Sequence, residues 1–177
     1  MNNKITVVTV TFNAKNNLEK TILSVINQND IELEYIIIDG GSNDGTIEII
    51  NKYKNNIFYC ESTPDRGIYD AINKGIEKCT GDIIGLLHSD DILHDSNVIK
   101  RVVNSFVNDI DCVYADSFYM TQISNKKTRF YSSSNFANWK FRIGIMPSHP
   151  TLYFNSEVLK KYPLYNLNYK IASDFDL

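Results

Sequence analysis

The sequence predicts an α/β fold built on a doubly wound, mostly parallel sheet, and two observations support this prediction. Short apolar runs alternate with amphipathic segments through residues 5–106, beginning in the order βαβαβ that is typical of a parallel sheet. Within each predicted strand the apolar residues are nearly continuous, as expected for strands that are buried on both faces. The chain has 177 residues, which is enough for one domain with a hydrophobic core.

Each element of the first half has a local signal. Ile5–Thr11 is almost entirely β-branched, which favours a strand, and Leu18, Ile22 and Val25 recur at helical spacing. The remaining elements follow from the same two patterns. The predicted strands are Ile5–Thr11, Tyr35–Ile38, Ile57–Cys60 and Ile83–Leu87, and the predicted helices fall at about residues 16–28, 47–53, 68–76 and 98–106.

After residue 108 the pattern changes to shorter elements. Cys112–Tyr119 and Thr128–Tyr131 flank the turn residues 125–127, which predicts a small antiparallel hairpin. Thr151–Phe154 is a further predicted strand, and Ser156–Lys161 is a predicted short helix. A Ser-Asp cap at residues 173–174 predicts the start of one more helix.

Composition and charge exclude several classes of protein. The formal net charge is −3 and the pI is about 5.6, so we expect no nucleic-acid partner. The three cysteines are scattered and odd in number, which argues against a disulfide framework and for a reducing compartment. There is no signal-peptide pattern and no apolar run near the roughly 20 residues of a membrane span. A cytoplasmic protein is therefore expected.

The most informative stretch is Gly81–Asp91, where a buried apolar strand runs directly into Asp90 and Asp91. Adjacent carboxylates repel and raise each other's pKa, so this ending is unfavourable for stability alone. A divalent cation relieves the repulsion, and hard oxygen ligands suit Mg²⁺ or Mn²⁺. The sequence therefore predicts a metal–diphosphate site at these two acids. An ordinary helix N-cap explains the same residues equally simply.

Two other predicted strands also end at polar residues. The first ends at Thr11 and Asn13, and the second ends at Asp39. Parallel strands place their carboxyl ends along one edge of the sheet, so these residues are expected to converge with the acidic pair. Asp39 suits a hydrogen bond from a ribose hydroxyl or a base N–H. It suits equally well a cap for the glycine-rich turn that follows it.

Four segments stand out in order along the chain, namely Val7–Asn13, Ile38–Thr46, Pro64–Gly75 and Gly81–Asp91. Together they resemble family-2 glycosyltransferases of the GT-A fold, in particular those that build bacterial surface polysaccharides. The resemblance covers nearly the whole chain. It implies a single GT-A domain, 1–177, with a nucleotide-sugar-binding half at residues 1–108 and the start of an acceptor-side half at residues 109–177.

The resemblance also assigns roles to individual residues. The nucleotide-sugar-binding residues that it implies are Thr11, Phe12, Asn13, Asp39, Asp65, Arg66 and Asp90. Asp90 and Asp91 match the metal motif, with Asp91 as the more direct ligand. Asp174 matches the catalytic base, although Ser173 replaces the family's usual Glu and Asp176 is a competitor. His149 matches an acceptor-side position, while a lone His between Ser and Pro is more often a hydrogen-bonded loop residue.

The implied reaction is transfer of a sugar, with inversion, from a UDP-, GDP- or dTDP-sugar to an acceptor hydroxyl. A divalent cation, Mn²⁺ or Mg²⁺, is the implied cofactor, and a glycan or a lipid-linked precursor is the implied acceptor. Family members continue beyond the point where this chain ends. The resemblance therefore implies a C-terminal truncation, with peripheral contact to the inner face of the cell membrane through the missing part.

Two other functions compete with this one. A nucleotidyltransferase also uses a doubly wound sheet and paired acids, but it is expected to carry a glycine-rich and basic loop after the first strand. Residues 12–16, which follow that strand here, contain no glycine, and this disfavours it. A non-catalytic module that binds a nucleotide sugar is the third interpretation.

Overall fold

The computed structural model describes residues 4–107, 110–121, 127–134, 136–161 and 165–168. A six-stranded sheet runs through the described part, in the order β3-β2-β1-β4-β8-β5. Strands β1 to β4 are mutually parallel, and β8 is antiparallel to both of its neighbours. A separate two-stranded antiparallel sheet pairs β6 with β7. The predicted α/β architecture is confirmed.

The elements alternate as the sequence predicts through the first four strands. The strands are β1 (Ile5–Thr11), β2 (Leu33–Asp39), β3 (Tyr59–Ser62), β4 (Ile83–Leu86), β5 (Cys112–Val113), β6 (Ser117–Met120), β7 (Lys127–Tyr131) and β8 (Tyr153–Asn155). The helices are α1 (Leu18–Ile26), α2 (Thr46–Lys52), α3 (Ile68–Glu77), α4 (Val98–Ser105) and α5 (Ser156–Lys161). Short 3₁₀ turns occupy Lys54–Asn56, Asn138–Ile143 and His149–Thr151.

Two hydrophobic clusters cover the two faces of the sheet. In β1, Val7 belongs to one cluster and Val8 to the other, because successive side chains of a strand point to opposite faces. The first cluster includes buried residues of α1, α2 and α4, and the second includes Ala71 and Ile72 of α3. All seven residues of β1 are buried, which explains its continuous apolar pattern.

Three predicted strands differ from those observed. β3 lies two residues later than expected, because Ile57 belongs to the turn that leaves α2. The predicted strand Cys112–Tyr119 is two elements, of which β5 joins the main sheet and β6 joins the hairpin. Thr151 ends a 3₁₀ turn, so β8 begins only at Tyr153. These segments are short, and their ends are set by pairing partners that are distant in sequence.

A glycine in the middle of β4 has a packing reason. A methyl group at Gly85 would collide with the ring of Tyr153, which lies beside it on the paired strand β8. Tyr153 is 3% exposed, so its ring has no room to move away. The glycine therefore allows an aromatic residue of the second half to close over the central strand.

A polar network stabilises the edge of the sheet where the parallel strands begin. The carboxylate of Glu34, which is 2% exposed, accepts hydrogen bonds from the hydroxyl groups of Thr6 and Thr80 and from the Thr80 amide. Lys4 adds an ion pair at 2.6 Å. Burial alone would raise the pKa of Glu34, but these bonds outweigh it and leave the pKa below its usual value.

We predict that Glu34→Ala lowers the free energy of unfolding by about 3 kcal/mol or more, because it leaves several buried donors without an acceptor. Urea denaturation measures the change. The matched control is Glu32→Ala, since Glu32 is exposed and its loss should change stability by no more than about 0.5 kcal/mol. Equal midpoints for the two variants would contradict this account of the network.

Candidate active site

The parallel register brings the polar strand ends together. Thr11 lies opposite Asp39, and Asp39 lies opposite Ser62 on the next strand. On the other side of β1, Leu86 lies opposite Val8, so β4 ends one residue before the turn that carries the acidic pair. Four strands therefore deliver their carboxyl ends to one edge, where open α/β sheets bind ligands.

The loop after β1 and the glycine-rich loop after β2 are joined by hydrogen bonds. The Asn13 amide donates to Ser42 Oγ at 2.7 Å, and Asn13 Oδ1 accepts from the Asn43 amide at 3.1 Å. Asn13 has a φ of 50°, a left-handed conformation that asparagine tolerates better than most residues. Next to it, the Ala14 amide donates to Thr46 Oγ1 at 2.9 Å. Asn13 thus positions the glycine-rich loop.

Asp39 is fully buried and caps that loop. Its carboxylate accepts from the amides of Gly41 and Ser42, at 3.0 and 2.9 Å. It also accepts from the hydroxyl groups of Ser42 and Ser62. Four donors match the capacity of a carboxylate, which offers about four lone pairs. The structure shows the loop-capping geometry, and a contact to base or ribose stays a prediction.

Phe12 and Asp65 meet over Gly40. A methyl group at Gly40 would lie 2.6 Å from Asp65 Oδ2 and 3.3 Å from the Phe12 ring, so only glycine lets both approach the backbone this closely. The Phe12 ring is 63% exposed and offers a flat apolar surface beside a carboxylate. Asp65 also accepts from the Gly67 amide at 2.8 Å, which orients the carboxylate.

Arg66 precedes α3 and contacts the first turn of that helix. Its guanidinium donates to Asp70 Oδ1 at 2.9 Å, and its amide donates to Asp70 Oδ2 at 3.1 Å. Lys74 is 3.6 Å from the same carboxylate. The hydrogen bond from Arg66 is the main cause of a pKa of Asp70 below its usual value. Arg66 lies beside the predicted site, paired with an acid.

One buried hydroxyl group at this edge has no partner. Thr11 is 5% exposed, and its Oγ1 makes no hydrogen bond in the structure. Buried polar groups are nearly always paired, and an exception calls for an explanation such as a ligand. Its position beside Asp39 fits the predicted contact to a nucleotide base.

Asp90 and Asp91 occupy a tight turn directly after β4. The Asp91 amide donates to the His88 carbonyl at 3.0 Å, which closes the turn. Asp90 is exposed and Asp91 is half-buried. Burial and the neighbouring charge of Asp90 raise the pKa of Asp91 to about 6. α4 begins only at Val98, so the simple alternative of a helix N-cap at these acids is excluded.

The described residues contain no cluster of three or more His, Cys, Asp or Glu side chains that would hold a metal by themselves. Mg²⁺ typically uses one or two carboxylates and completes its shell with water and substrate phosphates. The acidic pair has the oxygen donors and the uncompensated charge that such an ion needs. The residues present therefore fit a divalent cation that is shared with a diphosphate.

Sequence reasoning missed the residues of α1 that hold this turn. Thr21 Oγ1 lies 3.0 Å from the Ser89 carbonyl and 2.8 Å from the Asp91 carbonyl. Ser24 Oγ accepts from the Leu93 amide at 3.1 Å. Thr21 is fully buried on the apolar face of α1. A threonine on the apolar face of an amphipathic helix was the available signal.

Gln28 makes similar side-chain hydrogen bonds to the backbone at the start of α4. Its Nε2 donates to the Asp95 carbonyl at 2.7 Å, and its Oε1 accepts from the Ile99 amide at 3.0 Å. The second bond satisfies one of the free amides at the start of α4. Asn97, at the N-cap position, makes no side-chain capping bond. Thr21 of α1 and Gln28, which follows that helix, therefore contact the two ends of the segment that contains the acids.

An aromatic column connects His149 to the acidic turn. The rings of His149 and His88 stack at 5.8 Å, and His149 Nε2 shares a hydrogen bond with Tyr165 Oη at 2.9 Å. Tyr165 stacks on Tyr69 at 5.5 Å and exchanges two backbone bonds with the side chain of Asn73. The structure thus brings His149 to the site edge. Its acceptor-side role stays a prediction, and Asp174 lies outside the described residues.

The model of the family described as "Glycosyl transferase family 2" matches residues 6–162 of the chain. The chain belongs to this family. The resemblance found in the sequence motifs is thereby confirmed.

Curated relatives agree with this family. An uncharacterized glycosyltransferase of Mycobacterium tuberculosis, MT1564, is 31% identical over 173 residues, which are 96% of this chain and 65% of the relative. The chondroitin synthase of Pasteurella multocida is 28% identical over 173 residues, which are 94% of this chain and 17% of that protein. The chain thus spans 65% of the first relative's length and much less of the second.

Solved structures share the fold. The S. aureus protein TarS, as a fragment of residues 1–349, has a TM-score of 0.76 and 19% identity over 97% of this chain and 53% of that one. The Pyrobaculum calidifontis mannosyltransferase PcManGT, in complex with GDP-Man and Mn²⁺, has a TM-score of 0.72 and 14% identity over 95% of this chain and 49% of that one. Both are larger than this chain.

In the part that the structure describes, we find no helix long and apolar enough to cross a membrane.

We predict that Thr21→Val loosens the acidic turn without unfolding the protein. Valine keeps the shape of threonine but removes the hydroxyl group that donates to the carbonyls of Ser89 and Asp91, which costs about 1–3 kcal/mol. Amide exchange at Asp91 and Leu93 should become about tenfold faster, because 1.4 kcal/mol corresponds to a factor of ten. Thr21→Ser, which keeps the hydroxyl group, is the matched control. Unchanged exchange in Thr21→Val would contradict the role of this contact.

Proposed function

We propose that the chain contains the donor-binding part of an inverting glycosyltransferase that uses a divalent cation. The observation that supports this most strongly is the acidic turn at the carboxyl end of β4, where burial and the Asp90 charge hold the pKa of Asp91 at about 6. The resemblance to family-2 glycosyltransferases implies that a turn of this kind binds the diphosphate of the donor. Because the chain spans only part of its relatives, the activity is proposed for the whole protein.

On the donor side, three features support a nucleotide. Thr11 offers an unpartnered hydroxyl group, Phe12 offers an exposed ring, and Asp65 offers a carboxylate beside that ring. A ring, a hydroxyl and a carboxylate suit the base and ribose of a nucleotide. Asp39 would contribute directly by exchanging its bond to the exposed Ser62 hydroxyl for a base or ribose donor.

Asp90 and Asp91 would hold the divalent cation. When bound, Mn²⁺ or Mg²⁺ neutralises the negative charge that develops on the diphosphate leaving group. The residues of the chain contribute rigidity, because Thr21 fixes the backbone on both sides of the pair. PcManGT was solved with GDP-Man and Mn²⁺, which supports the same kind of donor and ion here.

The acceptor hydroxyl must lose a proton as it attacks, and Asp174 is proposed to take it as general base. A single base on the face opposite the leaving group gives inversion. His149 is proposed to contact the acceptor, since its ring lies against His88 at the start of the acidic turn. A growing glycan or a lipid-linked precursor is the proposed acceptor, and a relative named chondroitin synthase supports a polysaccharide product.

We predict that the release of nucleoside diphosphate from a nucleotide sugar requires Mn²⁺ and Asp91. Asp91→Asn removes a charged ligand and should lower the rate about 100-fold or more, since a metal contributes several kcal/mol to charge stabilisation. A chelator should have the same effect on the unchanged protein. A panel of UDP-, GDP- and dTDP-sugars identifies the donor.

The matched control for that experiment is Asp30→Asn, because Asp30 is exposed and pairs only with Lys100 among the described contacts. It should keep the full rate. Release that continues unchanged in the chelator contradicts the proposed role of the cation. Binding of nucleotide without turnover indicates a non-catalytic module, and release of pyrophosphate from a triphosphate indicates a nucleotidyltransferase.

We predict that Asp174→Asn lowers sugar transfer by about 10²–10⁴-fold, the usual contribution of a positioned general base. Donor binding, followed as the rise of the melting temperature with nucleoside diphosphate, should remain. Asp176→Asn is the control. A larger loss of transfer in the control would assign the base to Asp176, and a loss of donor binding together with transfer would make Asp174 structural.

A further inference from the structure

The charges of the chain are unevenly distributed. Residues 117–155 contain five basic residues and no Asp or Glu, although the whole chain has more acids than bases and a net charge of −3. The basic residues are Lys126, Lys127, Arg129, Lys140 and Arg142. An acid-free segment of this length in an acidic protein indicates a surface that meets negative charge.

The same segment exposes large apolar side chains. We call residues 117–121, 127–131 and 139–145 the basic aromatic surface. Its strongly exposed members are Tyr119 (59%), Phe130 (62%), Trp139 (59%), Ile143 (60%) and Ile145 (48%). Single exposed apolar residues are ordinary, whereas several that lie close together in the sequence and next to cations are candidates for an interaction site.

The second strand of the hairpin within this surface lacks a covering layer. All five residues of β7 are exposed, so neither face of that strand is packed against the described protein. Two-stranded hairpins are marginally stable in water and usually require packing against another layer. Here Lys127 lies 4.0 Å from the centre of the Phe118 ring, and Arg129 lies 4.4 Å from that of Tyr131. The hairpin therefore presents cations and aromatic rings side by side.

The basic aromatic surface adjoins the candidate active site. His94, which follows the acidic turn, meets the Phe118 ring edge-on at 5.3 Å. At its other end, Ile145 is close in sequence to His149, whose ring stacks on His88. A partner that binds this surface would thus lie next to the side of the site where the acceptor is proposed to enter.

We propose that the basic aromatic surface docks on a membrane that contains anionic lipids. Aromatic rings lie favourably at the level of lipid headgroups, and each Lys or Arg near an anionic surface adds to binding. The aliphatic side chains of Ile143 and Ile145 favour lipid over an anionic glycan, because they carry no polar group to recognise a sugar. The nearest acid in the sequence, the exposed Asp116, accepts hydrogen bonds from the amide and the hydroxyl group of Ser133, and residues 117–155 themselves add no carboxylate that would repel the headgroups.

Trp139 makes the proposal directly testable, because it is the single tryptophan of the chain and lies in this surface. Vesicles of phosphatidylcholine with about 30% phosphatidylglycerol should shift its emission to the blue, and brominated lipids should quench it. Vesicles of phosphatidylcholine alone should do so only weakly. Raising the salt from 0.05 to about 0.5 M should weaken binding, since salt screens exposed charges.

The variant Lys127→Gln/Arg129→Gln should bind these vesicles about 25-fold more weakly, because each basic residue near the surface contributes roughly a factor of five. The matched control is Lys20→Gln/Lys54→Gln, which removes two exposed lysines from the first half of the chain. Vesicle flotation provides a second measurement that does not depend on Trp139. Circular dichroism spectra that match the unchanged protein show that each variant is folded.

Four outcomes would overturn the proposal. The first is no blue shift with anionic vesicles at low salt. The second is equal weakening in the control variant. The third is a blue shift with dextran sulfate but not with vesicles, which would assign the surface to a soluble polyanion. The fourth is self-association in analytical ultracentrifugation that abolishes vesicle binding, which would assign the surface to a second copy of the chain.

Discussion

The repulsion between two adjacent carboxylates at the end of a buried strand is the constraint on which the candidate site depends. Asp91 is half-buried, and the charge of Asp90 adds to the cost of ionising it, so its pKa is raised to about 6. The fold does not relieve this cost with a nearby Lys or Arg that the structure shows paired to either acid. Instead it holds the main chain, since Thr21 contacts the carbonyls of Ser89 and Asp91. Holding the backbone and leaving the carboxylates uncompensated is the arrangement that a cation-binding turn requires.

The same principle governs the other loops at this edge. The turn after β2 is organised by Asp39, Asn13 and Asp44, whose side chains accept hydrogen bonds from backbone amides. These polar groups satisfy each other, which lets irregular backbone lie close to the core. Thr11 is the exception, with a buried hydroxyl group that has no partner. The hydroxyl group of Thr11, the last residue of β1, therefore offers a ligand one defined contact beside these loops, and this favours orientation of the ligand over general affinity.

Much of this could be predicted from the sequence, for identifiable reasons. β1, β2 and β4 are buried on both faces, so their apolar runs are long and unambiguous, and their polar ends mark the site edge. The second half was harder, because β5 has two residues and β8 has three, and their pairing depends on distant partners. A threonine on the apolar face of α1 indicates that its hydroxyl group needs a buried partner, but neither this nor the position of Gln28 identifies the distant backbone groups that the two side chains contact. His149 was singled out, but its link to Tyr165 and Asn73 spans a large sequence separation and required the fold.

The distribution of basic residues bears on why the proposed donor site would use a divalent cation. A diphosphate requires positive charge, and the basic residues of the loop before α3 and of α3 itself face an acid. Arg66 lies 2.9 Å from the Asp70 carboxylate and Lys74 lies 3.6 Å from it, so much of their charge is compensated within the protein. If Arg66 moved to a phosphate, Asp70, which is 8% exposed, would keep only the more distant Lys74 as its charged partner. The pKa of Asp70 would then rise, because the hydrogen bond from Arg66 is the main cause of its low value. The proposed divalent cation at Asp90 and Asp91 would supply positive charge to a diphosphate without disturbing the pair between Arg66 and Asp70.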